Sequence, residues 1–274
     1  MQYQTTITQA VTYTGVALHS GHNVNMRLKP APINTGIVFV RTDLAELPQV
    51  AAISANVTST VRATTIESGR AKVFTIEHLL SAFHAANIDN CYVELDDAEP
   101  PVGDGSALVF FELIQKAGTF IQNARRNYLV VDKTYIVRHA DKFVMVVPYD
   151  GFRVSFTSVN PHPLIGVQYG DYEISPEVFH EEIAPARTIA YEKEIATLKK
   201  MGLGLGGTMD TVIVYDDNKW LNPLRYEDEL VRHKILDIIG DLRLCGPIRG
   251  HVIAVKSSHA INTELAKKIS AQAQ

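Results

Sequence analysis

The chain is short of cysteine, with only Cys91 and Cys245 among 274 residues. Two distant cysteines cannot build a disulfide framework or a CxxC metal cluster, and beside apolar strand and helix residues they read as buried free thiols. Charge of one sign is equally scarce. Basic residues number 26 and acidic residues 30, for a net charge of -4, and no run of five like charges occurs. That pattern speaks against a nucleic-acid partner and against an acidic tail. No stretch approaches the ~18 apolar residues of a membrane span, so no stable membrane insertion is expected. The opening MQYQTTITQAVTYTG lacks the basic region and apolar core of a signal peptide, and the expected location is the cytoplasm. What remains is 46% hydrophobic and 20% charged, an ordinary composition for one or two globular domains.

Strand-like alternation fills the first forty residues, in QTTITQAVTYTG, NVNMRLKP and GIVFVR. From Thr75 to Asn87 the period becomes helical, with Ile76, Leu79, Leu80 and Phe83 on one face and Thr75 as the expected N-cap. The strand CYVELD, the loop EPPVGDGS and a helix over 107–116 follow. The second half repeats this order: strands over 128–157, a helix over 226–244, the strand HVIAVKS and a closing helix over 263–271. The repetition predicts an α+β protein of two similar domains, residues 1–124 and 125–274. Each carries an insert. Residues 42–62 contain weak strands, and residues 184–214 contain a helix over 191–201, the turn GLGLGG and the strand TVIVYD. Those glycines follow a helix and precede no Lys-Ser or Lys-Thr, so they read as a turn and helix cap rather than a phosphate loop.

The clearest chemical signal is HKILD. His233 and Asp237, four residues apart on a helix, project from one face, and Asp241 continues the stripe. Apolar Val231, Ile235, Leu236, Ile238 and Ile239 surround it. Polar groups on such a helix must be paired, hydrated or metal-bound. Glu77-His78 opens the earlier helix. Taken alone this pair is bland, but the repeat places His78 and His233 on equivalent helices, where they could meet. Two histidines and a carboxylate leave an open fourth position, the pattern of catalytic zinc. His259, just past a strand in KSSHAIN, could be hydrogen-bonded by Asp241 and kept protonated. His19 sits on the turn of GVALHSG and stays ambiguous. His22, His84, His139, His162, His180 and His251 are scattered and read as surface or satisfied residues.

These segments, with TIEHLLSAFHAANIDN, RYEDELVRHKILDIIGDLRLCG, PAPINTGIVFVRTDL, GDGSA, APART and LGLGG, resemble in order the UDP-3-O-acyl-N-acetylglucosamine deacetylases of lipid A synthesis. The resemblance implies two α/β sandwich domains, with helices packed between sheets, and an acyl-chain passage in the 184–214 insert. It implies Zn2+ on His78, His233 and Asp237, Glu77 as base, and His259 held by Asp241 as acid or cation. It places Thr188 beside the scissile carbonyl and Lys234 against the substrate. The further substrate-contact positions are Ile189, His19 and Lys142. The expected partner is the small-molecule substrate alone, with the protein a monomer. The chain departs from the family pattern at Ile189, where an aromatic residue is frequent, at Glu194 for Asp, at Ser258 for Gly, and at Gly103 for an apolar residue. Two rivals stay open: an amidohydrolase of another acylated sugar, and a binding protein with a structural zinc.

Overall fold

A computed structural model describes residues 2–271. The N-terminal half runs β1 (Tyr3–Ile7), β2 (Val11–Val16), β3 (Asn23–Pro30), β4 (Ile37–Arg41), β5 (Gln49–Ala51), β6 (Val57–Ser59), β7 (Thr65–Ser68) and β8 (Ala71–Phe74). Then come α1 (Glu77–Ala85), β9 (Cys91–Leu95), α2 (Leu108–Ala117) and β10 (Thr119–Arg125). The C-terminal half runs β11 (Leu129–Val130), β12 (Tyr135–His139), β13 (Lys142–Val147), β14 (Phe152–Val159), β15 (Val167–Glu173) and the single turn α3 (Pro176–Val178). It continues with β16 (Thr188–Tyr191), α4 (Glu192–Lys200), β17 (Val212–Tyr215), α5 (Glu229–Arg243), β18 (Ile248–Val255) and α6 (His259–Ser270).

The halves share one topology. The first large sheet has the order β2-β3-β9-β4-β5 and the second β12-β13-β18-β14-β15, with β11 added beside β18. In each, the central strand follows the long buried helix. It pairs antiparallel on one side, with β3 or β13, and parallel on the other, with β4 or β14. Alternation explains the strands that have one face in the core, such as β3 and β18, whereas every residue of β4 is buried. Residues 42–62 contribute β5 to the edge of the first sheet and β6 to a separate β6-β7-β8 sheet. Within 184–214, β16 and β17 are parallel neighbours flanking α4 in sequence, a βαβ unit.

The helices lie between the two sheets, with α1 against α5, and one hydrophobic core runs continuously from Ile7 to Ile269 through both halves. All nine residues of α1 are buried. Of the fifteen residues of α5, only Arg232 and Lys234 are not. A helix buried on nearly every side drives assembly through apolar area. Truncating Phe83, which is fully buried, would cost about 3–5 kcal/mol. The two helices touch at Gly240, where an added Cβ would lie 2.0 Å from the Glu77 carbonyl oxygen.

Local boundaries differ from the sequence pattern in three places. Thr75 does not cap α1: it adopts φ +57°, its hydroxyl donates to Glu99 (2.8 Å), and Ile76 takes the cap position without a side-chain bond. Helix α5 begins at Glu229, three residues later than the periodicity suggests, after a cap residue, Asp228, that is not helical. Helix α6 begins at His259, four residues earlier, with extended Ser258 at its cap position.

Candidate metal centre

His78 enters from the first turn of α1, and His233 and Asp237 from one face of α5. The Nε2 atoms of His78 and His233 lie 3.7 and 3.5 Å from Asp237 Oδ1, and one ligand atom from each of the three falls within 4.8 Å of the others. The imidazoles meet nearly perpendicular, 5.0 Å apart. All three residues are buried. The remaining polar atoms of His233 and Asp237 are already used. His233 Nδ1–H donates to the Ala186 carbonyl (3.0 Å), leaving Nε2 with its lone pair toward the cluster. Lys234 donates to Asp237 Oδ2 (2.7 Å), leaving Oδ1.

Burial, and then His233, press His78 down to about 3, so it is neutral. Burial also lowers His233, against the pull of Asp237. Burial would raise Asp237, but Lys234 foremost and then His233 hold it below the usual carboxylate range. Two neutral imidazoles and one ionised carboxylate are the protonation states that a divalent metal requires. The donor set and its spacing fit one metal ion.

Beside it stands Glu77, 3% exposed, whose Oε2 accepts from the Thr64 backbone N–H (3.1 Å). Burial raises its carboxyl to about 7, with Asp241 and Asp237 adding and His259 opposing. Asp241 is fully buried and acts as a hub: Oδ1 accepts from the Thr64 hydroxyl (2.6 Å), and Oδ2 from His259 Nδ1 and Asn262 Nδ2 (both 2.9 Å). Burial of His259 favours its neutral form, but Asp241, Asp237 and the hydrogen bond to Asp241 outweigh this and raise it to about 10. At neutral pH the structure thus holds an imidazolium beside a carboxyl near its midpoint.

The remaining expected positions lie on other elements. Thr188 opens β16, and its backbone N–H donates to Gly105 of the GDGSA loop (3.0 Å). The preceding Arg187 donates from Nε to Glu229 at the start of α5 (3.0 Å), which fixes that strand to the ligand helix. Ile189 packs with Leu164, Tyr191 and Trp220 against Ile165, Tyr215 and Leu230. His19 is half-buried. Its Nδ1 accepts from Gly204 N–H (3.2 Å) while Nε2 has no partner. Lys142 is exposed at the first residue of β13, opposite His139.

Sequence reading missed Thr64, Asn262, Arg187, Glu229 and Glu99. Fully buried Glu99 accepts from His19 N–H (3.0 Å), Ser20 N–H (2.9 Å) and the Thr75 hydroxyl, pinning the His19 turn beside α1. Asn262 could have been found as the residue one turn after His259. The others meet partners distant in sequence, in part through backbone atoms, which leave no spacing signature. Two readings need correction. His84 is neither at the surface nor satisfied: it is 8% exposed and its Nδ1 lacks a partner, because α1 is enclosed along its whole length. Cys245, though free like Cys91, is only partly buried.

Fold and site together define an α+β protein of two matched halves whose facing helices form one buried group able to hold a metal ion. The chain belongs to the UDP-3-O-acyl N-acetylglycosamine deacetylase family, whose profile matches residues 4–271. It is 42% identical over 276 residues to the UDP-3-O-acyl-N-acetylglucosamine deacetylase of Syntrophotalea carbinolica, covering 100% of this chain and 89% of that one. It is 44% identical to the enzymes of that name from Anaeromyxobacter dehalogenans (98% and 87% covered) and Hahella chejuensis (98% and 91% covered).

Proposed function

We propose that this protein is a zinc-dependent hydrolase that removes acetate from the N-acetyl group of UDP-3-O-(3-hydroxyacyl)-N-acetylglucosamine, the committed step of lipid A biosynthesis, in the cytoplasm. The observation that carries the reading is the His78–His233–Asp237 group with Glu77 beside it, in a chain of this family. Residues 1–124 and 125–274 form the two domains, and the site lies where they meet.

Zinc held by His78, His233 and Asp237 would polarise the acetamide carbonyl and lower the pKa of water to about 7. Glu77 takes the proton of the attacking water. Its carboxyl forms no ion pair among the described residues, and its near-neutral pKa suits a group that must both accept and return a proton. The water oxygen adds to the carbonyl carbon. The Thr188 hydroxyl donates to the oxygen that gains charge. The C–N bond then breaks, Glu77 returns the proton to the departing amine, and acetate leaves. His259, raised to about 10, keeps its proton through this cycle and serves as a fixed cation, with Asp241 holding its ring. Lys234, His19 and Lys142 contact the substrate, and the apolar surface around Ile189 receives the acyl chain.

The test is acetate release from that substrate, with and without chelator, alongside metal content. One zinc per chain is expected, and His78→Ala, His233→Ala and Asp237→Ala should lose metal and turnover together. Stoichiometric zinc retained in all three variants would refute the assignment.

A further inference from the structure

The last residue of α5, Arg243, lies about 15 Å along the helix from His233 at 1.5 Å per residue. Its side chain is 6% exposed and forms no ion pair among the described residues. Nη2–H donates to the Ile88 carbonyl (2.9 Å), whereas Nε–H has no partner. The one carboxylate close by, Asp89, is already committed: Oδ1 accepts from Arg126 Nε (2.8 Å) and Oδ2 from Thr5 N–H (3.0 Å). Buried His84, with its own unpartnered Nδ1, is held neutral first by burial and then by Arg243 and Arg126. The cluster therefore buries two guanidiniums against one carboxylate and leaves one positive charge over. Burial presses Arg243 down to about 10, with Arg126 opposing the pull of Asp89, but a guanidinium at that level stays charged at neutral pH. The negative end of α5 meets part of this need. It does not supply an acceptor for Nε–H, and buried charges and donors are normally paired.

Arg243 is among the residues that line a cavity of about 510 Å³, with Asn34, Thr35, Asp89, Asn127 and Cys245. That volume is within the range of small-molecule sites. The lining joins loops of the N-terminal half to the linker and the end of α5, so a ligand there would touch both halves.

We propose that this cavity binds a small oxyanion, a phosphate- or carboxylate-bearing metabolite, with Arg243 as its principal cation. The site is separate from the metal centre and does not depend on the proposed deacetylation. Guanidinium geometry favours bidentate contact with such groups, and the exposed amides of Asn34 and Asn127 add neutral donors at the rim.

Calorimetric titration and thermal melts of the metal-loaded protein with inorganic phosphate, acetate or chloride at matched ionic strength test this. Phosphate or acetate should bind with a Kd at or below about 1 mM, and whichever binds more tightly identifies the anionic group. Chloride should give no comparable shift. Arg243→Met should weaken binding at least tenfold. Asn127→Asp, at an exposed position, keeps the packing but brings a carboxylate to the cavity, and should weaken binding while raising the melting temperature without ligand. Absence of binding to the wild type would overturn the proposal. So would affinity unchanged in both variants, which would place the anion at the metal centre instead.

Discussion

Gly240→Ala is the most discriminating single substitution. In an ordinary buried helix, alanine for glycine is favourable by about 1 kcal/mol. Here the new Cβ would lie 2.0 Å from the Glu77 carbonyl oxygen and 2.7 Å from its carbon. Neither neighbour is a flexible side-chain tip, so α1 and α5 must separate by about 1.4 Å to restore ordinary contact at about 3.4 Å. The displaced segment carries Glu77 and His78, while the other two candidate ligands stay on α5. A metal tolerates only about 0.2 Å of error in its ligand distances, and a 1 Å displacement near the chemistry costs about 10²-fold in rate. Overpacking costs about 1–3 kcal/mol, against the 1 kcal/mol gained from helix propensity. The expected result is a protein destabilised by up to about 2 kcal/mol, with metal lost readily to chelator and kcat/KM down about 10²-fold. Denaturant melts, metal content after dialysis and acetate release measure these quantities. A variant that is more stable than wild type and retains metal and activity would show that the helix contact does not set the site.

Glu77→Gln should keep the metal and lose about 10²- to 10⁴-fold in kcat, since the base is not a ligand; near-normal turnover removes it from that role. Asp241→Asn should pull the basic limb of the rate–pH profile to lower pH, because His259 loses the carboxylate that raises it to about 10. Its stability effect has a definite sign. The folded pKa lies above the unfolded value near 6.5, so the His259 contribution is complete below pH 6.5 and lost as pH rises through about 10. The variant should be about 3–5 kcal/mol less stable at neutral pH, narrowing toward pH 10; a constant difference in urea melts would argue against this linkage. Ile189→Trp should change kcat/KM differently for long and short acyl chains, and a uniform change would remove Ile189 from the acyl passage.

The legible part of this protein was the part written in side-chain spacing. His233 and Asp237 are four apart on a helix, and the repeated element order put His78 on the matching helix, so the metal group could be assembled before any coordinates. Most strands of the two large sheets were legible from alternation, but β15 was not, and the packing of helices between sheets came only from the family resemblance. Much of what orients the group was not. Thr64 holds Glu77 through a backbone amide, Ala186 holds His233 through a carbonyl, and Thr75 turns through a positive φ to meet Glu99. Backbone donors and acceptors are common to almost every residue, so sequence carries no mark of them. The early start of α6 at His259 was missed because the apolar period sets in only at Ile261.

The continuous core has a consequence for synthesis. Helix α1 is buried on every side, and much of its cover is α5, which begins 152 residues later, at Glu229 against Glu77. At about 5–20 residues per second, the apolar surface of α1 stands exposed on the ribosome for roughly 8–30 s before its partner is made. During that interval the nascent N-terminal half carries an apolar face with no cover, and its burial waits on translation of the second half.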